Sequence, residues 1–210
     1  MFTPTMSIPE AIAEAQADLP GVQNKMLVHI KEQERKHRKD RRSGDLVTRK
    51  AYTSPRKNNW LYVLTTNKKH SLQNFFMWFH AKDGLHGLQL SSEGLHFLFR
   101  PHLFTRYRER SGHGQPTAID NLTAFFYRNS STTAMRTGNE YLGLPAFIGA
   151  VPDGYVLGTL HYDEGYHRCR TFVSHEEAFP NQQKDWEGLA ALHELQLRYP
   201  KLFAQLKKPF

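Results

Sequence analysis

The chain of 210 residues carries 28 Lys and Arg against 20 Asp and Glu, a formal charge of +8, with 39% hydrophobic residues and a single cysteine. That length suits one domain with appendages, or two small domains. Cys169 alone excludes an intrachain disulfide framework and a multi-cysteine zinc site. No apolar run approaches the roughly 18 residues of a membrane span, and the start lacks a basic-then-apolar leader, which reads as a cytoplasmic protein.

The positive charge is concentrated. Between Lys31 and Lys57, eleven Lys or Arg stand against four acids. Such a run raises polyanion binding through counterion release, beside the plainer meaning of a solvated face. Ser7-Ile8-Pro9-Glu10 opens the chain as a capping box, and alanine-rich residues 11–17 continue a helix that Leu19-Pro20-Gly21 should end. A second helix is expected from Val22 to about Arg42, with Val22, Met26, Leu27 and Ile30 as its apolar stripe. Beyond Ile30 the stripe vanishes. Arg35, Lys36, Arg38, Lys39, Arg41 and Arg42 are therefore candidate nucleic-acid contacts, while an acidic protein partner, or a second copy of the chain meeting these helices, is the alternative. Residues 43–59 read as a linker. The division that follows is a basic helical extension with linker over residues 1–57 and a body over residues 58–210.

From Trp60 the pattern turns to strand. Residues 60–64, 74–80, 85–90 and 94–99 form an antiparallel meander, its aromatics more core-like than platform-like. Pro101 then fits the first turn of a helix ending near Gly112. At about 100° per residue, Arg106, Glu109 and Arg110 fall at about 40°, −20° and 80° from His102, on one face, while Leu103, Phe104 and Tyr107 form the core face. An imidazole, two guanidiniums and a carboxylate on one short helix suit binding a phosphodiester, or cutting one. The plain alternative is an ordinary surface helix with ion pairs three or four apart.

A further helix is expected at 117–127, then a polar loop at 130–139. A second meander follows at 141–151, 155–162 and 166–173. In its last strand, alternation puts Cys169, Thr171 and Val173 on one face and Arg168, Arg170 and Phe172 on the other, so Arg168 and Arg170 are offered to the positive surface. A last helix around 184–198 carries Leu189, Leu192, Leu195 and Leu197. The fold class that follows is α+β: an antiparallel sheet in two meanders packed by helices, with a basic N-terminal helical extension.

The order strand, helix, helix, three strands, helix over about residues 94–178 resembles the small RelE/BrnT-type ribonuclease toxins. Several of these carry a His-x-x-x-Arg-Tyr-x-x-Arg-like first helix, which reads here as His102, Arg106, Tyr107 and Arg110. The chain departs from them in its basic N-terminal helix and its upstream strands. The resemblance implies metal-independent RNA cleavage, in which a 2′-hydroxyl attacks its neighbouring phosphate. Arg106 and Arg110 would then clamp phosphate, His102 or Glu109 would be the base, and His161, His167 or Tyr107 the acid. No cofactor motif is present, and the histidines are too scattered to indicate a metal site. Three readings stand: such a ribonuclease, a non-catalytic nucleic-acid-binding protein (RNA before DNA), and an interaction module docking through its basic helix.

Overall fold

In residues 60–64 both parities are apolar, and both are buried. Trp60, Tyr62 and Leu64 enter one core and Leu61 and Val63 another. A strand buried on both sides requires a covering layer on each face of its sheet. The computed structural model describes residues 1–39, 46–66, 71–91, 94, 96–177, 186 and 188–195. Its elements run α1 (Ile8–Lys39), β1 (Leu46–Thr53), β2 (Asn59–Thr66), β3 (Ser71–Ala81), β4 (Gly84–Gln89), β5 (His96–Phe99), α2 (Pro101–Arg110), α3 (Ala118–Arg128), β6 (Thr133–Tyr141), β7 (Leu144–Val151), β8 (Gly154–His161) and β9 (Tyr166–Ser174). A 3-10 turn at His175–Glu177 and a helical segment at 188–195 follow.

The nine strands make one sheet, ordered β1-β2-β3-β4-β5-β9-β8-β7-β6. Two antiparallel runs, β1–β5 and β6–β9, are joined where β5 pairs parallel with β9. The fold is α+β, with a mostly antiparallel sheet between helices. On one face α2 and α3 bury Leu103, Phe104, Tyr107, Phe125 and Phe126 against Leu61, Phe76, Phe99 and Cys169. On the other, α1 covers Trp60, Tyr62 and Met77, and Leu189 of the 188–195 segment covers Ile148, Ala150 and Tyr155. Among the described residues no helix is long and apolar enough to cross a membrane.

Three local expectations are corrected. The helix does not break at Pro20: α1 runs through it as one helix of 32 residues. An internal proline costs about 3 kcal/mol. The buried positions Ala11, Ala15, Asp18, Val22, Met26 and Ile30 keep helical phase across it, so one continuous stripe docks on the sheet. Polar contacts add to that docking. Asp18 accepts from Ser54 Oγ (2.6 Å), Trp60 Nε1 (2.8 Å) and Asn58 Nδ2 (2.9 Å), and Arg56 grips Glu14 with two bonds of 2.9 and 2.6 Å. The Arg56 guanidinium holds the Glu14 carboxyl well below the usual range.

The expected linker at 43–59 contains β1, which pairs with β2 from Leu46 to Thr53. The expected polar loop at 130–139 is largely β6, paired with β7 and broken by a bulge between Arg136 and Glu140. Both are edge strands. They carry polar and charged residues because only one side of each has a partner strand.

The facing rule for β9 also needs correction. Leu157 pairs with Thr171 and Gly158 with Cys169, which leaves Arg170 as an extra residue. The bulge shifts alternation by one, so Cys169 and Phe172 share a core instead of facing apart. Gly158 sits at the pinch, where a Cβ would come within 2.0 Å of the Arg168 carbonyl oxygen.

Helix α2 begins at Pro101 as the sequence implies. β5 is only four residues long, and its last level is Phe99 beside Cys169. The Arg100 N–H then donates to the Cys169 carbonyl, and from there α2 takes the strand's place beside β9, packing against it more closely than against any other element. Asp153, in the β7–β8 turn, ties the helices to the sheet. It accepts from Tyr107 Oη (2.8 Å), from Arg128 (2.8 and 2.7 Å) and from Asn129 Nδ2 (3.1 Å). Burial alone would raise the Asp153 carboxyl, but Arg128, Tyr107 and Asn129 outweigh it and hold the group below its ordinary value.

Asp153→Ala should therefore cost about 2–4 kcal/mol in urea unfolding at neutral pH, since it strands a buried tyrosine hydroxyl and an arginine. A carboxylate with a depressed folded pKa stabilises above its unfolded pKa, near 4, and that contribution is lost as pH falls further. The gap between wild type and variant should thus begin to narrow as pH falls below about 4 and keep narrowing toward the depressed folded value.

Candidate functional site

The β6–β9 half of the sheet, with α2 on one side and Trp186, Gly188, Leu189 and Leu192 on the other, borders a concave, open groove of about 1200 Å³. The residues at its edges arrive there for separate reasons. Leu103, Phe104 and Tyr107 turn into the core, which forces the opposite side of α2 toward the groove. His102, Arg106 and Arg110, spaced one turn apart, line it there. The β9 bulge contributes Arg170, and β6 contributes Arg136. Ile148, Leu157, Trp186 and Leu189 supply an apolar lining. Among the described residues no Asp or Glu lines the groove.

The guanidiniums differ in freedom. Arg106 donates from Nε toward His102 Nε2 (3.4 Å) and pairs with Glu109 at 2.8 Å, with both side chains well exposed. A surface pair of that kind contributes little and is easily exchanged for a ligand phosphate. Arg110 is more committed: it donates to the Phe172 carbonyl at 2.9 Å, and Glu177 lies 3.4 Å from its Nε. Arg170 lies over the Tyr141 ring, 4.0 Å from its centroid. Arg136 is exposed on the edge strand.

The sequence-derived residues divide clearly. His102, Arg106, Arg110 and Arg170 come together. Glu109 lies beside them but turns to Arg106 and does not line the groove. Tyr107 is fully buried and donates to Asp153, and burial first, then that hydrogen bond, pushes its phenol far up. His161 stacks on Tyr166 with ring centroids 4.7 Å apart and contacts Thr159 Oγ1 (3.2 Å) and Glu164 (3.4 Å). His167 stacks on Phe97 at 4.6 Å and meets Phe147 edge-on at 5.0 Å. Burial lowers both imidazoles. Neither lines the groove. Arg168 turns away and donates to the Tyr166 hydroxyl at 3.1 Å.

On α1, Arg35 and Lys39 border a separate shallow hollow with Lys31 and Glu34, and Lys36 pairs with Glu32 at 2.8 Å. The Arg38 side chain and residues Arg41 and Arg42 lie outside the described residues. Arg136, Tyr141 and Trp186 are groove residues that sequence reading missed. The signal was present in Thr132-Thr133-Ala134-Met135-Arg136-Thr137, whose β-branched residues suit a strand better than a loop.

Chemically, the groove offers positive hydrogen-bond donors to phosphate, an apolar surface to rings, and one imidazole, His102, as a group able to carry a proton. Among the described residues no three His, Cys, Asp or Glu side chains gather as a metal site. Comparison with protein-family models, curated proteins and solved structures returned no match.

The far wall depends on a buried histidine. His193 lies between Thr133 Oγ1 (2.7 Å) and Ser131 Oγ (3.3 Å), and burial pushes its imidazole down to about 4. An unfolded histidine takes up its proton near pH 6.5, whereas the folded one resists until about 4. Between those values the unfolded state binds more protons, so stability falls as pH drops, by about 3 kcal/mol for this residue. Urea unfolding of His193→Gln at pH 7.5 and pH 5 should show a visibly weaker pH dependence than wild type.

Proposed function

We propose that this protein binds single-stranded nucleic acid, RNA before DNA, along the groove between α2 and the β6–β9 concavity. One observation carries the reading: His102, Arg106, Arg110, Arg136 and Arg170 border a hollow of about 1200 Å³ that holds apolar surface and, among the described residues, no carboxylate lining. Duplexes present mainly phosphates and groove edges, and would leave the apolar surface unused. A single strand offers both parts, phosphates to the guanidiniums and unstacked bases to Tyr141, Trp186 and the leucines. The basic stretch of α1 from Lys31 to Lys39 supplies a second, sequence-independent contact. RNA cleavage, as in the toxins the central helix resembles, is a second reading. It is favoured by His102 lying 3.4 Å from Arg106 in the same groove, with a proton donor for the leaving oxygen still to be supplied. An acidic protein partner would meet the same arginines and compete with RNA.

Equilibrium binding of a short single-stranded RNA, followed by anisotropy over a range of salt, tests this. Arg106→Ala and Arg136→Ala should each weaken binding and reduce the log–log salt slope by about 0.7 for every phosphate that is no longer neutralised. Their stability should change by no more than about 0.5 kcal/mol. Equal affinity in wild type and both variants would sink the reading. Recovery of shortened RNA, abolished by His102→Ala, would turn the conclusion to cleavage.

A further inference from the structure

The tip of the β6–β7 hairpin has an unfavourable local sequence for its backbone. Tyr141 pairs with Leu144, which leaves Leu142 and Gly143 as a two-residue turn, with φ of 54° and 75°. Two successive positive φ values mark a type I′ turn, whose first central position favours Asn, Asp or Gly. A leucine there is strained, because its Cβ crowds the left-handed backbone. Packing does not repay the strain, since Leu142 is 82% exposed. Strain kept together with an exposed apolar side chain is a pattern found at binding sites.

The neighbouring residue shows what would bind. Tyr141 is 48% exposed and borders the groove. The Arg170 guanidinium sits 4.0 Å from its ring centroid and donates to its hydroxyl at 3.2 Å. Arg170 is itself positioned by the β9 bulge. A ring steadied by a cation on one face leaves its other face for a flat, electron-rich partner. We propose that Tyr141, backed by Arg170, is the stacking platform for a nucleobase, and that Leu142 is a wedge at the hairpin tip that closes over that base.

This rests on the groove being a single-strand site, and the test separates the two claims. The probes are a labelled single-stranded RNA of about 12 nucleotides and an abasic oligomer of equal length and charge. Wild type binds the base-containing strand tighter, on the order of tenfold. Tyr141→Ala abolishes that preference, Tyr141→Phe keeps it, and Arg106→Ala weakens both probes alike. Leu142→Asn suits the left-handed backbone, so it raises Tm by about 2–4 °C and narrows the base preference. Equal, salt-sensitive binding of both probes by wild type overturns the platform and the base contacts of the groove reading, and leaves its phosphate contacts standing. Binding of neither probe overturns both. A Leu142→Asn protein that gains stability with its preference unchanged removes Leu142 from the site.

Discussion

The end of β5 at Phe99 is the constraint on which the rest of the structure depends. Four residues are enough to join the two halves of the sheet through a parallel pairing with β9. They are too few to accompany β9 to its end. Beyond Cys169 the open edge of β9 would present unpaired backbone groups in the middle of the protein, where each unsatisfied group is expensive. Helix α2 takes that place, its Arg100 N–H closing one backbone group and its Arg110 side chain another.

That substitution makes the groove. A continuing strand would pair through its backbone and alternate its side chains between the two faces. A helix in the same position is one-sided: it buries Leu103, Phe104 and Tyr107 and turns a column of cationic groups toward the concave sheet. The β9 bulge acts in the same direction. By adding one residue opposite Leu157 and Gly158 it releases Arg170 from the alternation and brings it over Tyr141. Two irregularities, a strand that stops early and a strand with one residue too many, bring His102, Arg106, Arg110 and Arg170 to one groove.

The charges of the chain are correspondingly divided. Arg56, Arg100 and Arg128 are held by Glu14, Asp83 and Asp153, each fastening one element to another. Arg106, Arg110 and Arg170 lean on carboxylates outside the groove or on a carbonyl and a ring, so among the described residues the positive potential within it is not cancelled by acids in its lining. Histidines divide in the same way. His86, His96, His167 and His193 are displaced downward by burial and serve packing, whereas His102 is exposed on the groove edge.

The sequence by itself determined whatever depends on neighbours a few residues apart. Pro101 with the switch of period after Phe99 marked α2, the 117–127 stretch was expected as the helix that α3 is, and the 141–151, 155–162 and 166–173 stretches were expected as the strands that β7 to β9 form. The grouping of His102, Arg106 and Arg110 on one face is also local, since helical geometry alone imposes it. Long-range packing decided the rest. Pro20 could stay within α1 because a stripe on both sides of it found the same sheet, and the polar edge strands β1 and β6 exist because a partner strand was waiting. Arg168 and Arg170 look alike in sequence, two residues apart on one strand. A bulge pairing β9 with β8 sends one to Tyr166 and the other to the groove, and register between distant strands is not written in the alternation of either one.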